Sequence, residues 1–190
     1  MKKLMIAAAI ALTAAFAQAA TVTWSITDVY AGNTTDKASG IAFILNKTTA
    51  LDTSSWTSGA ATLAWLNANA LGKDGTAFTW QGSNGNYDMG TGIDPTTIGL
   101  VADGATKYQL YAVVFDTTTV TDMSNYFVTS ANSKAKSIAN STAETAFSLG
   151  TQATASQNPA NWTAVSAPEP TSGILLLLGM AGLALKRKRA

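Results

Sequence analysis

The stretch on which the fold turns is "KYQLYAVVFD", Lys107 to Asp116. Successive side chains of a strand point to opposite faces. Here both faces are apolar: Tyr108, Leu110, Ala112 and Val114 on one, Tyr111, Val113 and Phe115 on the other. Such a strand is expected at the centre of a sheet with both surfaces covered. The surrounding chain has to supply that cover.

Downstream, "SNYFVTS" (Ser124 to Ser130) reads as a shorter strand, and upstream "TTIGLVA" (Thr96 to Ala102) is a further apolar stretch. "TVTWSITDVY" (Thr21 to Tyr30) alternates, with Val22, Trp24 and Ile26 on one face and Thr21, Thr23, Ser25 and Thr27 on the other. That is the pattern of a half-buried strand. "AGNTTDKASG" reads as a loop, "IAFILN" (Ile41 to Asn46) as a short buried strand, and "GTAFTWQG" (Gly75 to Gly82) as another strand. Between them Leu63, Leu66 and Ala70 follow helical spacing, with Ser58 as cap and Gly72 just past the end. This predicts a helix from about Ala60 to Leu71.

Beyond Ser130, "ANSKAKSIANSTAETAF" has little apolar periodicity and is left open between a weak helix and a loop. "FSLG" and "NWTAVS" add short edge strands, and the chain after Val165 reads as a linker. No repeat recurs at a fixed period. The expected fold is mainly β, an antiparallel sandwich or barrel with one short helical insert. It occupies 20–165, flanked by an N-terminal signal helix and a C-terminal transmembrane helix.

The ends differ from the middle. Met1-Lys2-Lys3 is a basic start, Leu4 to Ala17 is an apolar run broken only by Thr13, and Ala17-Gln18-Ala19 is the small-x-small pattern read by signal peptidase. Residues 1–19 are therefore expected to be a secretory signal peptide cut after Ala19. At the other end thirteen apolar residues run together: Gly173, Ile174, Leu175, Leu176, Leu177, Leu178, Gly179, Met180, Ala181, Gly182, Leu183, Ala184 and Leu185. As a helix they reach roughly 20 Å, against about 30 Å of hydrocarbon. Snorkelling of the flanking bases narrows the gap. A short membrane anchor over 173–190 is predicted, in contact with lipid. The basic tail Lys186, Arg187, Lys188 and Arg189 holds its end in the cytoplasm. The signal peptide sends the middle to the other side, so the two ends agree.

Pro168-Glu169-Pro170 lies in 166–172, just outside the apolar run, and its prolines keep the backbone extended. The ordered set of Pro-Glu-Pro, short transmembrane stretch and terminal Arg/Lys cluster resembles the PEP-CTERM sorting signal. The resemblance covers about 25 residues of the 190. It implies recognition by an exosortase, a membrane-embedded transpeptidase, with cleavage near the triplet. It further implies a bacterial envelope protein bound for the cell surface or an extracellular matrix, in a structural or adhesive role. It implies no activity, because the signal is attached to many unrelated domains. "YQLYAVVFD" followed by "NYFVTS" is also loosely similar to stretches of uncharacterised proteins that carry this signal.

Composition narrows the chemistry of the middle. Between Ala20 and Ala167 there are six Lys, no Arg and ten acids, a net charge of −4. That offers no electrostatic footprint for nucleic acid. The absence of both His and Cys removes Ser-His-Asp triads, Cys nucleophiles, ordinary zinc sites and disulfides. Carboxylate-pair glycosidase chemistry, a Ser/Lys dyad and calcium remain. Asp28, Asp116 and Glu144 adjoin apolar segments but nothing pairs them, and Ser133-Lys134 are neighbours only along the chain. The domain is read as non-catalytic.

No cofactor or metal is expected. The loop "SNGNYDMGTGIDP" spaces Asn84, Asn86, Asp88 and Asp94 among glycines, as calcium ligands are spaced. An EF-hand register starting at Asn84, however, puts Met89 where Gly is needed and Pro95 where the bidentate Glu belongs. Turn chemistry explains the same residues, and that reading is preferred. Four Asn-x-Thr sequons, at Asn33, Asn46, Asn140 and Asn161, are expected by chance among 28 Thr. Of the tryptophans, Trp24 and Trp80 sit at core positions of strands, whereas Trp56 in "TSSWTSG" is the best exposed candidate for stacking on a glycan. A surface carbohydrate-binding module is thus the alternative reading, with exopolysaccharide as a partner.

Overall fold

The computed structural model describes residues 20–88 and 91–165. The predicted signal peptide, Pro-Glu-Pro triplet, transmembrane segment and basic tail lie outside them, as does Met89. Among the described residues the fold is mainly β, with few helices. In chain order the strands are β1 (Thr21–Thr27), β2 (Ile41–Asn46), β3 (Gly72–Lys73), β4 (Thr76–Ala77), β5 (Thr79–Gln81) and β6 (Tyr87–Asp88). They continue as β7 (Lys107–Tyr108), β8 (Leu110–Phe115), β9 (Asn125–Val128), β10 (Lys136–Ser137), β11 (Glu144–Thr151) and β12 (Trp162–Ala164). The α-helices are α1 (Gly59–Asn69) and α2 (Ala153–Ser156), with 3-10 turns at Pro95–Ile98 and Pro159–Asn161.

β8 stands where its sequence predicts. It is the middle strand of a five-stranded antiparallel sheet ordered β12-β9-β8-β2-β5, and all six of its residues are buried. The alternation divides the core in two. Leu110, Ala112 and Val114 join one cluster with Val22, Trp24 and Ile26 of β1 and Phe147 of β11. Tyr111, Val113 and Phe115 join the other with Trp56, Leu66 and Tyr126. β2 repeats the pattern, sending Ala42 and Ile44 one way and Phe43 and Leu45 the other. A three-stranded sheet, β11-β1-β6, thus covers one face of the large sheet, and α1 with its preceding segment covers the other.

Beyond the end of β9, side chains continue its ladder. Thr129 Oγ1 accepts from the Ala112 N–H at 2.9 Å, and Asn132 Oδ1 accepts from the Leu110 N–H at 2.5 Å. Paired in this way, the N–H groups of a fully buried strand avoid the cost of an unmade hydrogen bond.

Several expectations need correction. The sheet partners are not all antiparallel: β1 runs parallel to β11, from Thr21 beside Glu144 to Thr27 beside Thr151. A tight turn forces antiparallel pairing, and none links two strands more than a hundred residues apart. "FSLG" is only part of this eight-residue strand, its fourth to seventh residues. The segment left open between helix and loop forms neither throughout. It supplies β10, the fully buried Ile138 and the first residues of β11.

α1 begins as predicted, with Ser58 Oγ accepting from the Ala61 N–H at 3.1 Å, but it ends at Asn69. Gly72 is not its cap. It belongs to the β3-β4 hairpin, where a Cβ would lie 2.0 Å from the Thr76 carbonyl oxygen. "TTIGLVA" opens on the 3-10 turn, because Pro95 presets the helical backbone and Asp94 caps the Thr96 N–H at 2.9 Å. α2 and the turn at Pro159 are further short helical pieces.

Candidate functional site

Trp56 is not exposed. It keeps 4% of its surface, and its ring packs against Trp65 (5.6 Å between centroids), Tyr126 (4.8 Å) and Phe115 (6.4 Å). The polar neighbours that suggested exposure form a turn, with the Trp56 N–H on the Thr53 carbonyl and Ser58 capping α1. The indole faces inward and closes the outer core, so Trp56 offers no surface for a glycan. Trp24 is core as expected, 1% exposed, with Trp80 at 4.6 Å and Phe78 at 5.9 Å.

The three acids beside apolar segments go to three places. Asp28 pairs with Lys37 at 2.9 Å, and that hydrogen bond raises the Lys37 pKa. The pair is substantially exposed, and such pairs contribute little to stability. Glu144 accepts from the Thr23 hydroxyl at 3.0 Å. Asp116 binds Asn125 through both oxygens, to the backbone N–H at 2.9 Å and to Nδ2 at 2.8 Å. Glu144 also borders a cavity of about 240 Å³ that contains Asp88. The register sets Asp88 beside Ser25 and Glu144 beside Thr21, on opposite sides of β1. Four residues along and two strands across separate their backbones by about 16 Å. Ser133 and Lys134 are both exposed.

The Asn/Gly loop does turn chemistry. Asn84 and Gly85 both take the left-handed backbone, at φ 50° and 74°, between the bridged Ser83 and Asn86. That is the conformation an Asn-Gly hairpin turn adopts. It delivers Tyr87 into the core, fully buried, where desolvation drives its pKa upward. Asp94 is spent on Thr96, whose hydroxyl and N–H hydrogen bonds hold the carboxyl below the usual range. Among the described residues no three of His, Cys, Asp and Glu are grouped to hold a metal ion. None of the described helices is long and apolar enough to cross a membrane.

One cleft combines an aromatic ring with fixed polar groups, and the sequence alone does not reveal it. β9 pairs with β12 so that Phe127 lies opposite Trp162 and Asn125 opposite Ala164. On β8, Phe115 opposite Tyr126 brings Asp116 level with Asn125, and its N–H bonds the Asn125 carbonyl at 3.1 Å. Period-two alternation therefore puts Asp116, Asn125 and Trp162 on one face of three adjacent strands. Ala31, Gly32 and Pro159 complete the lining of a half-open space of about 240 Å³ beside these residues.

A single carbonyl holds Gly32 and the indole together: Ser156 O accepts from Trp162 Nε1 at 2.8 Å and from the Gly32 N–H at 3.1 Å. Phe127 backs the indole, with centroids 5.7 Å apart and planes 32° apart. Gly32 lies close against the indole and Pro159. A Cβ there would lie 3.4 Å from Trp162 Cδ1, and its φ of 73° suits glycine.

No protein-family model, curated protein or solved structure matches the chain.

Proposed function

We propose that this chain is an exported, non-catalytic protein of a bacterial cell surface or extracellular matrix, structural or adhesive in role and delivered by a PEP-CTERM signal that an exosortase processes. In this reading the sandwich-like domain is flanked by a signal helix and a membrane helix. The observation that carries the proposal is the ordered set at the C-terminus: Pro168-Glu169-Pro170, the apolar run to Leu185 and the bases from Lys186 to Arg189. Support comes from where the described strands begin and end. β1 starts at Thr21, two residues after Ala19, and β12 ends at Ala164, followed by Val165 at 3% exposure. Cleavage after Ala19 and near Pro168 would leave every core residue among the described residues on the product.

The test is to replace the triplet in the native host by Pro168→Ala, Glu169→Ala and Pro170→Ala together. The altered protein is expected to accumulate uncleaved in the membrane fraction, while the parent leaves it for the surface or medium. Identical size and distribution of the two would remove the sorting signal from the account.

A further inference from the structure

We propose that the lysine-lined cleft at the start of β8 is a binding site for the oxyanion groups of an acidic polysaccharide, with Lys47 and Lys107 as its two principal contacts. The inference deepens the adhesive reading above and rests on it for why the domain meets glycans.

Strand register builds the site. Asn46 of β2 lies beside Leu110 of β8, and one step further the Lys47 N–H donates to the Gln109 carbonyl at 2.7 Å. Lys107 precedes Gln109 by two residues, so alternation brings Lys47, Gln109 and Lys107 to one side of the chain. Together with Asn46, Thr48 and Ala135 they line a half-open space of about 180 Å³. Its base is fixed. Gln109 Nε2 donates to the Asn132 carbonyl at 2.9 Å, and the Tyr111 hydroxyl donates to the Thr49 carbonyl at 3.1 Å. Lys47, Lys107 and Lys134, the neighbour of Ala135, are all exposed. Among the described residues the ion pair is Lys37–Asp28, and none of these three lysines takes part in one. Asp52 and Asp103, the acids closest to Lys47 and Lys107 along the chain, accept from the backbone of their own turns, at Ser54 and at Ala105 and Thr106.

Charge and chemistry narrow the partner. Four of the six lysines between Ala20 and Ala167 (Lys47, Lys107, Lys134 and Lys136) fall at this end of the domain, and no carboxylate lines the cleft. A cleft lined by one sign of charge concentrates the opposite ion. Single exposed ion pairs contribute little, so the ligand that fits carries acidic groups in series, engaged by several lysines at once. Asn46, Thr48 and Gln109 offer amide and hydroxyl groups to sugar hydroxyls, whereas the lining has no aromatic ring on which a base could stack. That favours a uronate- or sulfate-bearing polysaccharide over nucleic acid. The position in the fold agrees. The described chain ends at Val165, whose N–H bonds the Ser124 carbonyl at 2.9 Å, next to the Asn125 that Asp116 binds. From Leu110 to Asp116 is about 20 Å along the strand. An anchor beyond Val165 is therefore attached at the opposite end, and the lysines face away from it. The net charge of −4 confines the contact to this end and makes it weak and salt-sensitive.

The experiment uses the full chain in a zwitterionic detergent that contains no sugar. Sodium polygalacturonate, monomeric galacturonate, neutral dextran and single-stranded DNA are titrated separately by calorimetry, the charged ligands at equal charge concentration. Polygalacturonate is expected to bind saturably at about 20 mM salt and at least about tenfold more weakly at about 200 mM. Dextran should not bind. The monomer and the DNA should each bind at least about tenfold more weakly than the polymer, the first for want of avidity and the second for want of a stacking ring. Lys47→Gln and Lys107→Gln together should weaken polygalacturonate binding at least about tenfold at low salt, because two of its charge contacts are lost. Lys73→Gln, an exposed lysine of the β3-β4 hairpin, is the control and should leave binding unchanged. All three substitutions lie on the surface, so equal melting temperatures show that the fold is intact. Absence of saturable polygalacturonate binding overturns the proposal. So does dextran, monomer or DNA binding as tight as the polymer, or a double variant that binds no worse than the Lys73→Gln control. Any of these results leaves the sorting signal untouched, because the triplet variant reads cleavage and not sugar.

Discussion

Trp56→Ala is expected to lower the folding stability of the domain by about 3–5 kcal/mol, the range for removing a buried large aromatic. The ring is 4% exposed and touches Trp65 of α1, Phe115 of β8 and Tyr126 of β9. It joins the helix to the outer face of the central sheet, so a cavity opens between layers and not at a surface. Domains of this size are stable by about 5–15 kcal/mol in all, which makes the loss a large share of the total. Trp56→Phe is the informative companion. Trp56 Nε1 is buried with no hydrogen-bond partner. A phenyl ring therefore gives up volume but no hydrogen bond, and its cost should stay below about 1.5 kcal/mol. Urea unfolding of both variants, followed by circular dichroism, measures the difference. A Trp56→Ala loss under about 1 kcal/mol would mean that the indole is not packed as described.

Gly40→Ala is expected to cost about 3 kcal/mol or more, at the upper end of what overpacking does. The added carbon would lie 2.0 Å from the Phe115 carbonyl oxygen and 2.9 Å from the Thr117 nitrogen. The backbone there has little room to withdraw. Gly40 O accepts from the Gly82 N–H at 2.9 Å, and the Ile41 N–H is held by Thr117 O at 3.0 Å. A clash at this point pushes β2 away from the end of β8, the pairing that both cores share. Gly104→Ala serves as control. That glycine has φ 72° and open space around it, so its substitution meets only the left-handed backbone penalty of about 1–2 kcal/mol. Equal melting temperatures for the two variants would contradict the close approach.

How much of this was legible in the sequence depends on how local its cause is. β8 and β1 could be read because alternation is a property of neighbouring residues, and the Ser58 cap because a hydroxyl and the N–H it binds lie three residues apart. Trp56 was misread for the same reason: its neighbours are polar, while the Phe115 and Tyr126 that bury it lie 59 and 70 residues on. The parallel pairing of β1 with β11 leaves no trace in either strand, because strand periodicity does not encode direction. Tyr87 looked like part of a loop, and it is buried only because the Asn84-Gly85 turn folds β6 onto β1. The Trp162 cleft draws on four separate stretches around Ala31, Asp116, Asn125 and Pro159. No spacing pattern connects them, so the cleft emerges only once β8, β9 and β12 are side by side.

The most direct test of the central claim is the intact mass of the protein recovered from the envelope and the medium of its own host. The account predicts a species that begins at Ala20 and ends between Pro168 and Thr171, with or without an attached glycan or lipid. A single species running through to Ala190 and confined to the membrane would contradict it, and the apolar segment from Gly173 to Leu185 would then be a permanent anchor.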